Sequence, residues 1–153
     1  MAQKRMFSKQ IVQTDAFLDM PQTCQNLYFH LAMEADDDGF VGNPRKILRM
    51  LGVNDDDLKI LIVKRFILTF ESGVVVIKHW RMHNTLRKDR YTVTAYQEEA
   101  KALFIKQNKA YTNDGNQIAT KWQPREDVDV DVEKKKGSLD KDIKSFKKNN
   151  FNP

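Results

Sequence analysis

His79 and His83 stand four residues apart in KHWRMH, a spacing that on a helix turns both imidazoles to one side, where they could share a metal ion. The zinc-protease pattern also needs a glutamate directly after the first histidine, but Trp80 holds that place and neither the cysteine nor the third histidine is near. The pair therefore reads as part of a basic, partly exposed segment. Asp36-Asp37-Asp38-Gly39 opens like a calcium loop but lacks the later ligand spacing and terminal glutamate, so it reads as the turn that ends a helix. His30, beside Leu27 and Leu31, reads as a packed or rim side chain, and Cys24 as a small buried hydrophobe. The sequence contains no glycine loop with a phosphate-binding lysine, no G-x-S-x-G elbow and no H-E-x-x-H. With no nucleophile, base and electrophile brought together, the expectation is a protein that is not an enzyme and uses no cofactor or metal.

The chemistry that remains is that of cations. Lysine and arginine neutralise phosphates and release counterions, which gives nucleic-acid affinity independent of sequence. Lys78, Arg81, Arg87, Lys88 and Arg90 lie close together against a single acid, Asp89. Upstream, Arg45, Lys46 and Arg49 fall in one predicted helix, and Lys59, Lys64 and Arg65 in or just after the next. These eleven residues are the candidate contacts to double-stranded DNA. The competing reading is that they only solvate a surface, the usual fate of a charge run. The whole chain of 153 residues carries a formal net charge of +5 and a pI near 9.3, a small excess that suits a polyanionic partner. A lone cysteine excludes an internal disulfide, the N-terminus lacks a signal-peptide core, and no apolar run has membrane-spanning length. A cytoplasmic protein without a membrane partner is expected.

The elements that must position these cations are legible in residues 21–80. Pro21 opens a helix whose Cys24, Leu27, Tyr28, Leu31, Ala32 and Ala35 recur on one face. The acidic turn ends it, and Phe40-Val41 is long enough for only a one-rung strand. Asn43 caps a helix that begins at Pro44 and stops at Gly52, with Ile47, Leu48 and Leu51 inward. Asn54 caps a second helix that carries Asp55 to Asp57 in its first turn, where the helix dipole favours anions. Residues 67–70 and 74–77 are β-rich and joined by Glu71-Ser72-Gly73, a hairpin signal. Helix, strand, helix, turn, helix and hairpin is the order of a winged helix-turn-helix. The fold class expected is mainly α with a small β-hairpin (α+β).

At the ends of the chain the expectations are simpler. Ile11 and Val12 suggest a short extended arm, and Thr14 the cap of a single turn through Phe17 and Leu18. From Thr94 a last helix is predicted, with Thr94 and Gln97 as a capping box and Tyr96, Ala100, Leu103 and Phe104 at helical spacing. Beyond residue 106 the composition turns to Asn, Asp, Gly and Lys, so the domain is placed at residues 1–106 and residues 107–153 are read as a disordered charged tail.

The stretches MAQKRMFSKQIV, FLDMP, LYFHLAMEADDDGFVGNPRKILRMLG and ESGVVVIKHWRMHNTLRKDRYT resemble the N-terminal domain of phage replisome organisers, over about residues 1–104. The resemblance implies a winged-helix domain that binds the phage origin and helps recruit the replicative helicase or its loader. The layout is also similar to the N-terminal domain of DnaD-like primosomal proteins, which implies homo-oligomerisation. Two other readings stay open: a winged-helix transcriptional regulator, and an assembly module with little DNA affinity. The second is favoured by the acidic start of the Asn54 helix and by the short hairpin loop with a glutamate in it, both of which phosphates would repel.

Overall fold

The computed structural model describes residues 4–115 and 118–125. Two single turns, α1 (Lys9–Val12) and α2 (Asp15–Leu18), lead into the fold. Ile11 and Val12 are thus helical, not an extended arm, and Ile11 is buried. Thr14 caps α2 as expected, its Oγ1 accepting from the Phe17 amide at 3.2 Å, and Phe17 drops into the core. Helix α3 (Gln22–Glu34) buries the predicted stripe of Cys24, Leu27, Tyr28, Leu31 and Ala32. The Cys24 thiol donates to the Asp57 carbonyl at 3.1 Å, and burial pushes its pKa up to about 11, as befits an unreactive packed side chain.

After the acidic turn comes β1 (Phe40–Val41), then α4 (Pro44–Leu51) and α5 (Asp55–Val63). Both helices carry the expected asparagine caps: Asn43 accepts from the Lys46 amide and Asn54 from the Asp56 amide. Strands β2 (Ile67–Thr69) and β3 (Val75–Ile77) form the hairpin, and β1 pairs antiparallel with β3, giving the sheet order β1-β3-β2. Gly39, at φ +92°, lies just before β1 because a side chain there would collide with buried Trp80: an added Cβ would lie 2.5 Å from its Cγ.

Three expectations fail beyond the hairpin. The segment after β3 forms a single turn, α6 (Trp80–His83), and Trp80, Arg81, His83, Asn84 and Leu86 are buried. Five of the thirteen residues of the predicted basic surface segment, Arg81 among them, are therefore core. The helix predicted from Thr94 is only α7 (Gln97–Lys101), and Phe104 belongs instead to β4 (Phe104–Lys106), the central strand of a second sheet with β5 (Tyr111–Thr112) and β6 (Ala119–Lys121). The fold does not end at residue 106. Few of the residues after 106 are apolar, yet Ala110, Tyr111 and Thr112 are buried and Trp122 packs partly against the core. The Tyr111 amide donates to the Lys78 carbonyl at 2.8 Å, which joins the two sheets. The segment needs no core of its own because it docks on one already built. The expected tail from residue 126 onward lies outside the described residues.

Among the described residues the architecture is mixed α and β, with seven helices and two small antiparallel three-stranded sheets. No helix in them is long and apolar enough to cross a membrane.

Candidate nucleic-acid interface

The acidic turn shows which cations are unavailable. Asp37 and Asp38 are almost wholly buried, 1% and 0% exposed. Arg5 donates to the Asp37 carboxylate at 3.2 Å and to the Ala35 carbonyl at 2.7 Å, with its guanidinium over the Trp80 ring. Trp80 Nε1 donates to the Asp37 carbonyl, and the Tyr111 hydroxyl to the Asp38 carbonyl. The Asp38 carboxylate accepts from the Tyr91 hydroxyl at 2.7 Å and the Thr94 amide at 2.8 Å, while Thr94 Oγ1 donates to Asp36. One turn thus fastens the N-terminal arm, the post-hairpin segment and the second sheet. Burial pushes the Asp36 and Asp38 carboxyls above their ordinary range, while these donors favour the ionised forms.

Arg81 belongs to this knot. Its Nε donates to the Tyr111 hydroxyl at 3.2 Å and one Nη to the Gln123 carbonyl at 2.5 Å, 4.0 Å from Asp38, and the guanidinium lies over Tyr111 and Trp122. Only 8% exposed and committed to these partners, it is a core side chain and not a surface cation, which corrects its place among the candidate contacts. A sequence cannot distinguish a buried arginine from an exposed one until its partners are known.

The histidines are structural too. The Ser8 amide donates to His83 Nδ1 at 2.8 Å, so in the neutral ring Nε2 carries the hydrogen and donates to the Tyr28 hydroxyl at 2.5 Å. Burial holds the pKa of both His79 and His83 down to about 4. Both rings are neutral at physiological pH, His83 is in the core, and neither adds charge to the basic segment.

Ten candidate cations remain with some solvent access. Arg45 is tied to Asp55 at 3.3 Å, Lys59 to Asp56 at 4.0 Å, and Arg87 to Asp89 at 3.3 Å. These pairs are all exposed, so each is weak and can be exchanged for a phosphate. Lys46, Arg49, Lys64, Lys88 and Arg90 are exposed and make no ion pair with a described residue. The last two are Arg65 and Lys78, which the structure brings together with Lys106 around one pocket of about 200 Å³. The pocket lies where the end of α5 and strand β2 meet the second sheet, and Thr69, Thr112 and Asn113 also line it. No carboxylate does so among the described residues. Lys78 is half-buried, and its burial and the nearby Lys106 and Arg65 lower its pKa from the usual value.

Sequence reasoning missed Lys106, which it placed at the end of the domain and outside the cation list. The available signal was Phe104-Ile105-Lys106, a short β-favouring run that ends in a lysine, but its strand partners lie in a stretch read as disordered. In comparisons with family models, with curated proteins and with solved structures, the chain matches none.

Proposed function

We propose that this chain is a DNA-binding replication initiation protein of the phage replisome-organiser type. In this reading residues 21–80 form a winged helix-turn-helix that docks on duplex DNA at an origin and helps recruit the replicative helicase or its loader. One observation carries it: the α4–α5 pair is followed by a hairpin to which β1 adds a third strand, with Lys59, Lys64 and Arg65 exposed and Lys78 half-buried on and beside the second helix. Recognition helices ordinarily offer their first turn to base edges. Here that turn is Asp55-Asp56-Asp57, so docking runs through the C-terminal end of α5 and residues 87–90, where Arg87, Lys88 and Arg90 are exposed.

The test is binding to origin-containing and unrelated duplexes across a salt series. Tighter binding to the origin, with affinity falling steeply as salt rises, is expected. No binding to either duplex at low salt overturns the reading. The assembly reading keeps one specific observation in its favour: Val63 and Met50, on the helix pair, are 79% and 68% exposed. Concentration-dependent oligomers in sedimentation, without DNA binding, would select it.

A further inference from the structure

Helices α4 and α5 end in the same backbone motif. In α4 the Gly52 amide returns to Arg49 and the Val53 amide to Leu48, with Gly52 at φ +67°. In α5 the Arg65 amide returns to Ile62 and the Phe66 amide to Leu61, with Arg65 at φ +62°. Glycine is the ordinary residue at this left-handed position, since a Cβ there is strained. The first helix uses glycine and the second uses arginine, and that arginine lines the pocket shared with Lys78 and Lys106. Lys78 is held from both sides, its amide donating to the Phe66 carbonyl and its carbonyl accepting from the Tyr111 amide. Three like charges therefore converge on a rigid wall, one from a strained backbone position, with no counter-ion among the described residues.

We propose that this pocket is a binding site for a phosphate group, held by Arg65, Lys78 and Lys106, with Thr69, Thr112 and Asn113 supplying neutral donors. An anion relieves the mutual repulsion of the three cations and makes charge-assisted hydrogen bonds to them. At about 200 Å³ the pocket is smaller than the usual small-molecule cleft, which matches a single phosphate rather than a whole nucleoside. The site stands on the pocket's own geometry and does not rest on the DNA reading. That reading supplies one source of the group, a backbone phosphodiester; free phosphate is the other.

The experiment is thermal unfolding of the full chain in sodium phosphate and in sodium chloride at matched ionic strength. A ligand that binds the folded state raises the melting temperature with its concentration. Phosphate is expected to raise it above the chloride value in the parent and in Lys9→Gln, an exposed lysine outside the pocket and outside the candidate contacts. The rise should be lost in Arg65→Gly and in Lys106→Gln, reflecting phosphate binding weakened by about tenfold or more. Arg65→Gly relieves backbone strain, so it should melt no lower than the parent in chloride and its loss of response cannot be ascribed to unfolding. Absence of a phosphate-specific rise in the parent, or an equal rise in the two pocket variants, overturns the proposal.

A DNA arm separates the sources. If the pocket holds a backbone phosphate, Arg65→Gly/Lys106→Gln should lower the slope of log affinity against log salt by about 0.9, the share of one phosphate contact. A lost phosphate response with an unchanged DNA slope supports the pocket as a site for free phosphate. A phosphate response in the parent with no DNA binding also supports the pocket and sinks the DNA reading. No phosphate response with intact DNA binding overturns the pocket alone.

Discussion

Arg65 holds a conformation, and His83 below about pH 6.5 a protonation state, that the unfolded chain does not favour. Replacing Arg65 by glycine should raise unfolding stability by about 1 kcal/mol, because the left-handed position at φ +62° costs an L-residue that much; equilibrium denaturation in chloride measures it. His83 contributes a pH dependence whose sign follows from its lowered pKa. Between about 6.5 and about 4 the unfolded histidine takes up a proton that the folded one refuses. Stability should thus fall as pH falls through that window, by up to about 1.4 kcal/mol per pH unit for this residue. His79 acts in the same direction. Asp36 and Asp38, raised by burial, act against both in the lower part of the window, because there the folded chain binds protons the unfolded chain does not. The clean measurement is therefore a comparison. His83→Gln should be less stable than the parent at neutral pH yet lose less stability on acidification to pH 5, and parallel pH profiles would refute the assignment.

At the scale of elements, the second sheet is where the sequence reading and the structure part most clearly. Its strands are two or three residues long and half polar, too short to announce themselves by alternation. Tyr111 anchors them: it is fully buried, donates through its hydroxyl to Asp38 and accepts from Arg81. Tyr111→Ala should cost about 3–5 kcal/mol, the range for emptying a large aromatic site in a core. A chain ending at residue 106 should lose more than Tyr111→Ala does, since it also strips Arg81 of its Gln123 and Tyr111 partners. Both are read by denaturant titration, and a chain ending at residue 106 that is as stable as the parent would show the sheet to be dispensable. The acidic turn makes a matching prediction. Asp38→Asn leaves Arg81 in the core without its nearest carboxylate and should destabilise by about 3–5 kcal/mol, as uncompensated buried charges do.

At the scale of the whole molecule, the fold separates two uses of positive charge. Arg5 and Arg81 are turned inward onto carboxylates and carbonyls, whereas Lys46, Arg49, Lys64, Lys88 and Arg90 stay in solvent. If the solvent set grips DNA, Arg87→Ala/Lys88→Ala/Arg90→Ala should weaken duplex binding uniformly across sequences and reduce the salt slope by up to about 2.7. Binding as tight as the parent's at moderate salt removes residues 87–90 from the proposed interface.

Residues 21–80 were readable because their signals are local. Asparagine caps, Pro44 at a helix start, Gly52 at a helix end and a 3.6-residue apolar stripe each act within one turn of chain. The cations of the candidate interface were readable as residues but not as a site. Charge type is written in the sequence, whereas burial and convergence depend on contacts between distant parts of the chain. Arg81 went inward because Asp38 and Tyr111 were waiting for it, 43 and 30 residues away. Arg65, Lys78 and Lys106 came together because the Tyr111 strand docks on the Lys78 backbone. By itself the sequence determined the helix pair, the hairpin and the supply of cations. Only the tertiary structure decided which cations are held in the core and which face one pocket, because long-range packing sets the solvation of each charge.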